Sequence, residues 1–191
     1  LATSATDAVP AIMHIRLTRT ATTGMKEKSS VLKRPRSTNS GTPGGWGGYG
    51  TDAGYGEEGG SGGGIYNSGA LTITDSTILS NTAYAYGGGV CSVADGGTAS
   101  LLISNSVISG NTAISGTNAL GWGGGVSNLS RNGGTVTAMV TKDSVISGNS
   151  SHGMGGGIAS GVFTGTAELT LDESIVSGNE AGYSGGGVAN I

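Results

Sequence analysis

Four aromatic side chains, Tyr84, Tyr86, Trp122 and Tyr183, each stand just before a run of three glycines. Exposed aromatic faces at such places can stack on sugar rings, so these four are the candidate glycan-contact residues. Hydrolysis or elimination on a polysaccharide would need something else, namely clustered carboxylates joined by a basic side chain. Over residues 62–191 the acidic residues are thinly spread, and the basic ones are Arg131 and Lys142 alone. Asp75, Asp143 and Glu173 share one aligned position, but Asn105 interrupts that column. His152 lies among small residues (Ser-His-Gly-Met-Gly-Gly-Gly) without a paired Asp. The expectation is a protein that is not an enzyme, with no catalytic residue, no metal ligand and no cofactor.

The elements that must position the aromatics follow from an internal repeat. Gly-Gly-Gly followed by Ile or Val occurs at 62–65, 87–90, 123–126, 155–158 and 185–188, with starts 25, 36, 32 and 30 residues apart. Between triplets lies a block of constant length, Leu71 to Asn81, Leu101 to Asn111, Met139 to Asn149 and Leu169 to Asn179, which no insertion enters. Each block carries a central Ser (Ser76, Ser106, Ser144, Ser174), then Ile78, Ile108, Ile146 or Val176, then the closing Asn. Constant segments joined by loops of variable length are what a solenoid produces.

Apolar residues alternate within the blocks, as in Leu71 and Ile73 or Leu101 and Ile103, which argues for strands. In the third block Met139 and Thr141 take the inward places. Each repeat is read as three short strands and three bends, making one coil of an all-β, right-handed parallel β-helix of about four coils. Asn81, Asn111, Asn149 and Asn179 are expected at bends, in the left-handed conformation, with their amides hydrogen-bonded along the stack. Ile78, Ile108, Ile146 and Val176 form an interior column. A flat threonine ladder fails on this alignment, because Thr72 and Thr74 are followed by Leu102 and Ser104, then by Val140 and Lys142.

The rest of the chain differs. Residues 1–40 hold seven of the nine basic residues against Asp7 and Glu27, without interleaved aromatics or an amphipathic period, and read as a basic, irregular N-terminal segment rather than a nucleic-acid site. Residues 41–61 are a Gly-rich linker or irregular first coil. Within them Gly47, Gly48, Gly50 and Asp52 match the opening of a nonapeptide calcium repeat, but Gly54 replaces the large apolar residue and no second copy follows. Residues 62–191 carry the repeats and break off just after a triplet, which leads us to expect further coils of a longer chain as a partner. No run of 18 apolar residues suggests a membrane span. Cys91 is the single cysteine, which excludes an intramolecular disulfide. Asn128-Leu-Ser and Asn149-Ser-Ser fit the glycosylation sequon.

The Gly-Gly-Gly-Ile/Val triplets, with Ile78-x-x-Asn81 and its three later copies, resemble the paired GGA[IVL] and FxxN motifs of polymorphic outer membrane proteins. They are equally similar to large bacterial right-handed β-helix repeat proteins and autotransporter passengers. The resemblance covers residues 62–191, with Ile or Val standing where the FxxN motif has Phe. It implies a secreted or surface-displayed, non-enzymatic module, a structural stalk or adhesin whose partners are glycans or a neighbouring cell surface. The alternative is a carbohydrate-binding or polysaccharide-degrading β-helix with its catalytic residues elsewhere in a longer chain.

Overall fold

The computed structural model describes residues 60–115 and 120–191. The calcium-like Gly47–Asp52 stretch and the basic segment 1–40 lie outside the described residues. What is described is all β, without a helix.

The chain passes through four sheets in turn and then repeats the circuit. The first coil comprises β1 (Ile65–Asn67), β2 (Ala70–Thr74), β3 (Thr77–Leu79) and β4 (Thr82–Ala83). The second comprises β5 (Val90–Asp95), β6 (Thr98–Ser104), β7 (Val107–Ser109) and β8 (Thr112–Ala113). The third comprises β9 (Val126–Arg131), β10 (Gly134–Thr141), β11 (Ser144–Ser147) and β12 (Ser150–Ser151). The fourth comprises β13 (Ile158–Val162), β14 (Gly165–Leu171), β15 (Ser174–Ser177) and β16 (Glu180–Ala181), and β17 (Val188–Asn190) opens another. Each strand pairs in parallel with its counterpart one coil away, so the sheet that follows the glycine triplets runs β1-β5-β9-β13-β17 and the other three hold four strands each. Every coil therefore has four strands rather than three. The fourth is only two residues long, just after the Asn, too short to show a period of its own.

The interior is a set of aliphatic columns. Ile65, Val90, Val126 and Ile158 line one side, Leu71, Ile73, Leu101 and Ile103 a second, and Ile78, Ile108 and Ile146 a third, all buried in one cluster with Val176 packed against it. Fully burying one such side chain stabilises by about 1.5–3 kcal/mol. One coil alone cannot shield these side chains from water, whereas a stack can.

The third coil departs from the expected register. Ala138 pairs with Leu101 and Leu169, and Val140 with Ile103 and Leu171. The inward residues are thus Ala138 and Val140, while Met139 is 45% exposed. One extra residue enters the corner that follows, where Lys142 (φ 53°) and Asp143 (φ 58°) are both left-handed; the other coils have one left-handed residue there, Asp75, Asn105 or Glu173. A one-residue slip carries every side chain to the opposite face, which is why this copy looks weak in sequence. We expect Met139→Lys to leave stability within about 0.5 kcal/mol of the parent. Val140→Lys places a charge in the apolar interior and should unfold the chain in the same urea titration; equal effects would restore the sequence-based register. The same register sets Thr98, Thr135 and Thr166 side by side, a short threonine row that block alignment does not reveal.

The closing Asn residues form the expected ladder, with one correction. The left-handed residue at this corner is the one before each Asn, namely Ser80 (φ 56°), Gly110, Gly148 and Gly178. The Asn residues themselves are not in that region. Nδ2 of Asn81, Asn111 and Asn149 donates to Oδ1 of the next Asn at 3.0, 2.9 and 2.9 Å. The backbone N–H of the same residue donates to that oxygen as well, at 2.9 Å each time. The second Nδ2 hydrogen of Asn111, Asn149 and Asn179 goes back to the carbonyl of Ile78, Ile108 and Ile146. Ser76 and Ser106 form a parallel series at the preceding corner, where each backbone N–H donates to the hydroxyl of the next Ser at 3.1 and 3.3 Å.

Candidate functional site

The four aromatics do not make one ridge. Tyr86 and Trp122 occupy the same position of successive coils and form a parallel bridge, continued by Met154 and Ser184. Tyr84 precedes that column by two residues and Tyr183 by one, so they belong to other columns. Tyr183 is 71% exposed, and Tyr84 is partly buried.

Tyr86 is only 4% exposed, so it cannot offer a ring face to a sugar. Its position corrects the expectation of an open stacking residue. The physical reason lies in the strand alternation of the triplet sheet. Val90 and Val126 point into the main core, and Cys91, Val93 and Leu129 point to the outer face, where they form a second cluster with Tyr86 and Ala85. Tyr66 and Trp122 pack against it. The aromatics lie over this outer face and shield it.

Two residues without a motif complete the arrangement. The Phe163 ring stacks on Trp122 with centroids 5.6 Å apart and planes 17° apart, and meets Tyr86 edge-on at 6.2 Å. The Tyr86 and Trp122 rings are 5.5 Å apart. The Arg131 guanidinium carbon lies 5.5 Å from the ring centres of both Tyr86 and Phe163, and Arg131 is 5% exposed. A desolvated cation over an aromatic face contributes up to about 2 kcal/mol. Trp122 also needs the bare backbone beneath it, because a Cβ at Gly153 would come within 2.6 Å of the indole Cδ1. Sequence reasoning missed Arg131 and Phe163. The available signal was their rarity, Phe163 being the only Phe of the chain and Arg131 one of two basic residues in the repeats.

The other candidates are accounted for by local structure. Asp75 accepts from Asn105 Nδ2 at 2.5 Å, so the residue that interrupts the acidic column is hydrogen-bonded to it. Asp95 likewise accepts from Asn132 Nδ2 at 2.5 Å. His152 is exposed, and its Nδ1 accepts from the Ser115 N–H at 3.4 Å. Among the described residues no group of three or more His, Cys, Asp and Glu could hold a metal ion. Neither sequon presents an accessible amide: Asn128 is buried and donates to Ser160 Oγ and the Glu168 carbonyl, and Asn149 is a rung of the ladder.

No family model, curated protein or solved structure matches this chain. No helix among the described residues is long and apolar enough to cross a membrane.

Proposed function

We propose that the chain is a right-handed parallel β-helix serving as a non-enzymatic structural stalk or adhesin-like module on a cell surface or outside the cell. The handedness rests on the strong preference for right-handed crossovers between parallel strands of one sheet. The observation that carries the functional reading is where the repeated residues spend their chemistry. Asn111 and Asn149 use both amide hydrogens and the amide oxygen within the ladder, and the repeated Ile side chains lie in the interior. Outward-facing positions differ from coil to coil, as in Thr72, Leu102, Met139 and Thr170 of one register row. Such a pattern suits a scaffold whose task is length and a surface, with chemistry left to individual side chains. The motif resemblance supports the extracellular assignment and glycans or a neighbouring cell surface as partner.

Tyr183, and to a lesser degree Tyr84, are the aromatics whose exposure suits contact with a glycan. Tyr183→Ala combined with Tyr84→Ala should weaken retention on immobilised polysaccharide severalfold at unchanged stability, because neither ring belongs to a buried apolar cluster. No polysaccharide, acidic or neutral, should be cleaved, with or without added calcium. Appearance of reducing ends or unsaturated sugar would overturn the non-enzymatic reading. Undiminished retention by the double variant would leave only the stalk.

A further inference from the structure

The outer face of the triplet sheet is covered in a way that the other outer faces are not. β5 is buried from Val90 to Ala94, β9 along its whole length and β13 from Ile158 to Gly161, on both faces of the sheet. Outward residues of the neighbouring sheets, such as Thr98, Ser100, Thr135 and Val107, are exposed. Tyr86, Trp122, Phe163 and Arg131 supply part of the cover, and Phe163 is itself 41% exposed.

We propose that this face is the docking surface for the chain's own residues 41–59. The point of attachment is suitable. The Gly60 carbonyl accepts from the N–H groups of Tyr84 and Ala85 at 3.0 and 3.2 Å, and the Gly62 N–H donates to the Tyr86 carbonyl at 2.8 Å. The chain therefore joins the stack beside the column that carries Tyr86 and Trp122. Length suffices, since these 19 residues reach roughly 60 Å when extended, and three steps between coils span only about 15 Å. Composition matches the face as well. The segment brings Trp46, Tyr49 and Tyr55 to an aromatic cluster, and its glycines let the backbone approach closely. Its charges are Asp52, Glu57 and Glu58, with no Lys or Arg, opposite a face whose cation is Arg131. This inference is independent of what the module binds.

Cys91 provides the probe, because it is the only thiol and sits buried on that face. In the 191-residue chain a small thiol reagent should label Cys91 slowly. The triple variant Trp46→Ala, Tyr49→Ala, Tyr55→Ala should label at least about tenfold faster, with its far-UV β signal unchanged, since opening then no longer requires lifting a docked segment. Labelling at the parent's rate overturns the proposal. Single Trp46→Cys, Tyr49→Cys and Tyr55→Cys variants supply the second readout, and decide alone if the triple variant loses its β signal. At least one should close a disulfide to Cys91 within a monomer under mild oxidation, and Ser4→Cys should not. If none of the three closes, or if the crosslink joins two chains and so assigns the face to a second copy, the proposal fails.

Discussion

Replacing Asn149 by Ala should lower the stability of the stack by about 3–5 kcal/mol, read from the urea midpoint at unchanged slope. The size follows from what the side chain satisfies. Its Oδ1 accepts the backbone N–H and one Nδ2 hydrogen of Asn111, both at 2.9 Å. Its own Nδ2 donates to the Ile108 carbonyl at 3.0 Å and to Asn179 Oδ1 at 2.9 Å. Removing the side chain strands the two Asn111 donors and the Ile108 carbonyl away from water. Each buried polar group left unmatched costs about 1–3 kcal/mol, and a domain of ordinary stability has only about 5–15 kcal/mol to lose. Asn149→Asp should be at least as damaging despite its shape, because a carboxylate keeps the acceptor but cannot donate to two oxygens. A loss below about 1 kcal/mol for the alanine variant would show that water replaces the rung and that the ladder is incidental.

The second large effect is expected at Gly124. A Cβ built there would lie 2.3 Å from the Ser150 carbonyl oxygen and 2.4 Å from that of Gly156. Both obstacles are backbone of the following coil, so no side chain can swing aside, and the two coils would have to separate at this corner. Gly124→Ala should cost more than the roughly 1–3 kcal/mol typical of overpacking, enough to lower Tm by about 10 °C or abolish soluble expression. Gly69→Ala is the control. No atom lies within 4 Å of a Cβ there, and its φ is not in the left-handed region, so thermal unfolding should not change detectably. If Gly124→Ala melts with Gly69→Ala, the coils are not as close as described.

These positions also show what the sequence disclosed and what it hid. The repeat, the all-β class, the Ile columns and the Asn ladder were legible because each coil obeys the same constraint at the same place. Gly110, Gly148 and Gly178, each just before the Asn, could have located the left-handed corner residue, since three of four copies are Gly. The third-coil register was not legible. Counting back from Asn149 passes through the extra residue at Lys142–Asp143 and places Met139 where Ala138 belongs. The aromatics were misjudged for a different reason. Position next to a glycine triplet suggests a loop, whereas the burial of Tyr86 depends on Leu129, Arg131 and Phe163, which lie 43 or more residues further on. Contacts of that sequence separation leave no local pattern.

The Asn ladder has an orientation as well as a strength. In every Asn-to-Asn bond an amide hydrogen of the earlier coil points toward the later one and the carbonyl oxygen of the later coil points back toward the earlier one. Side-chain amide dipoles that would cancel in a disordered array therefore add along the stack, in the manner of peptide dipoles in a helix. The column has a positive pole at Asn179, and each bond polarises the next, so interior rungs are stronger than terminal ones. Turning one amide end for end would set two carbonyls facing each other, so the electrostatics of the column specify a single direction in which coils can be stacked.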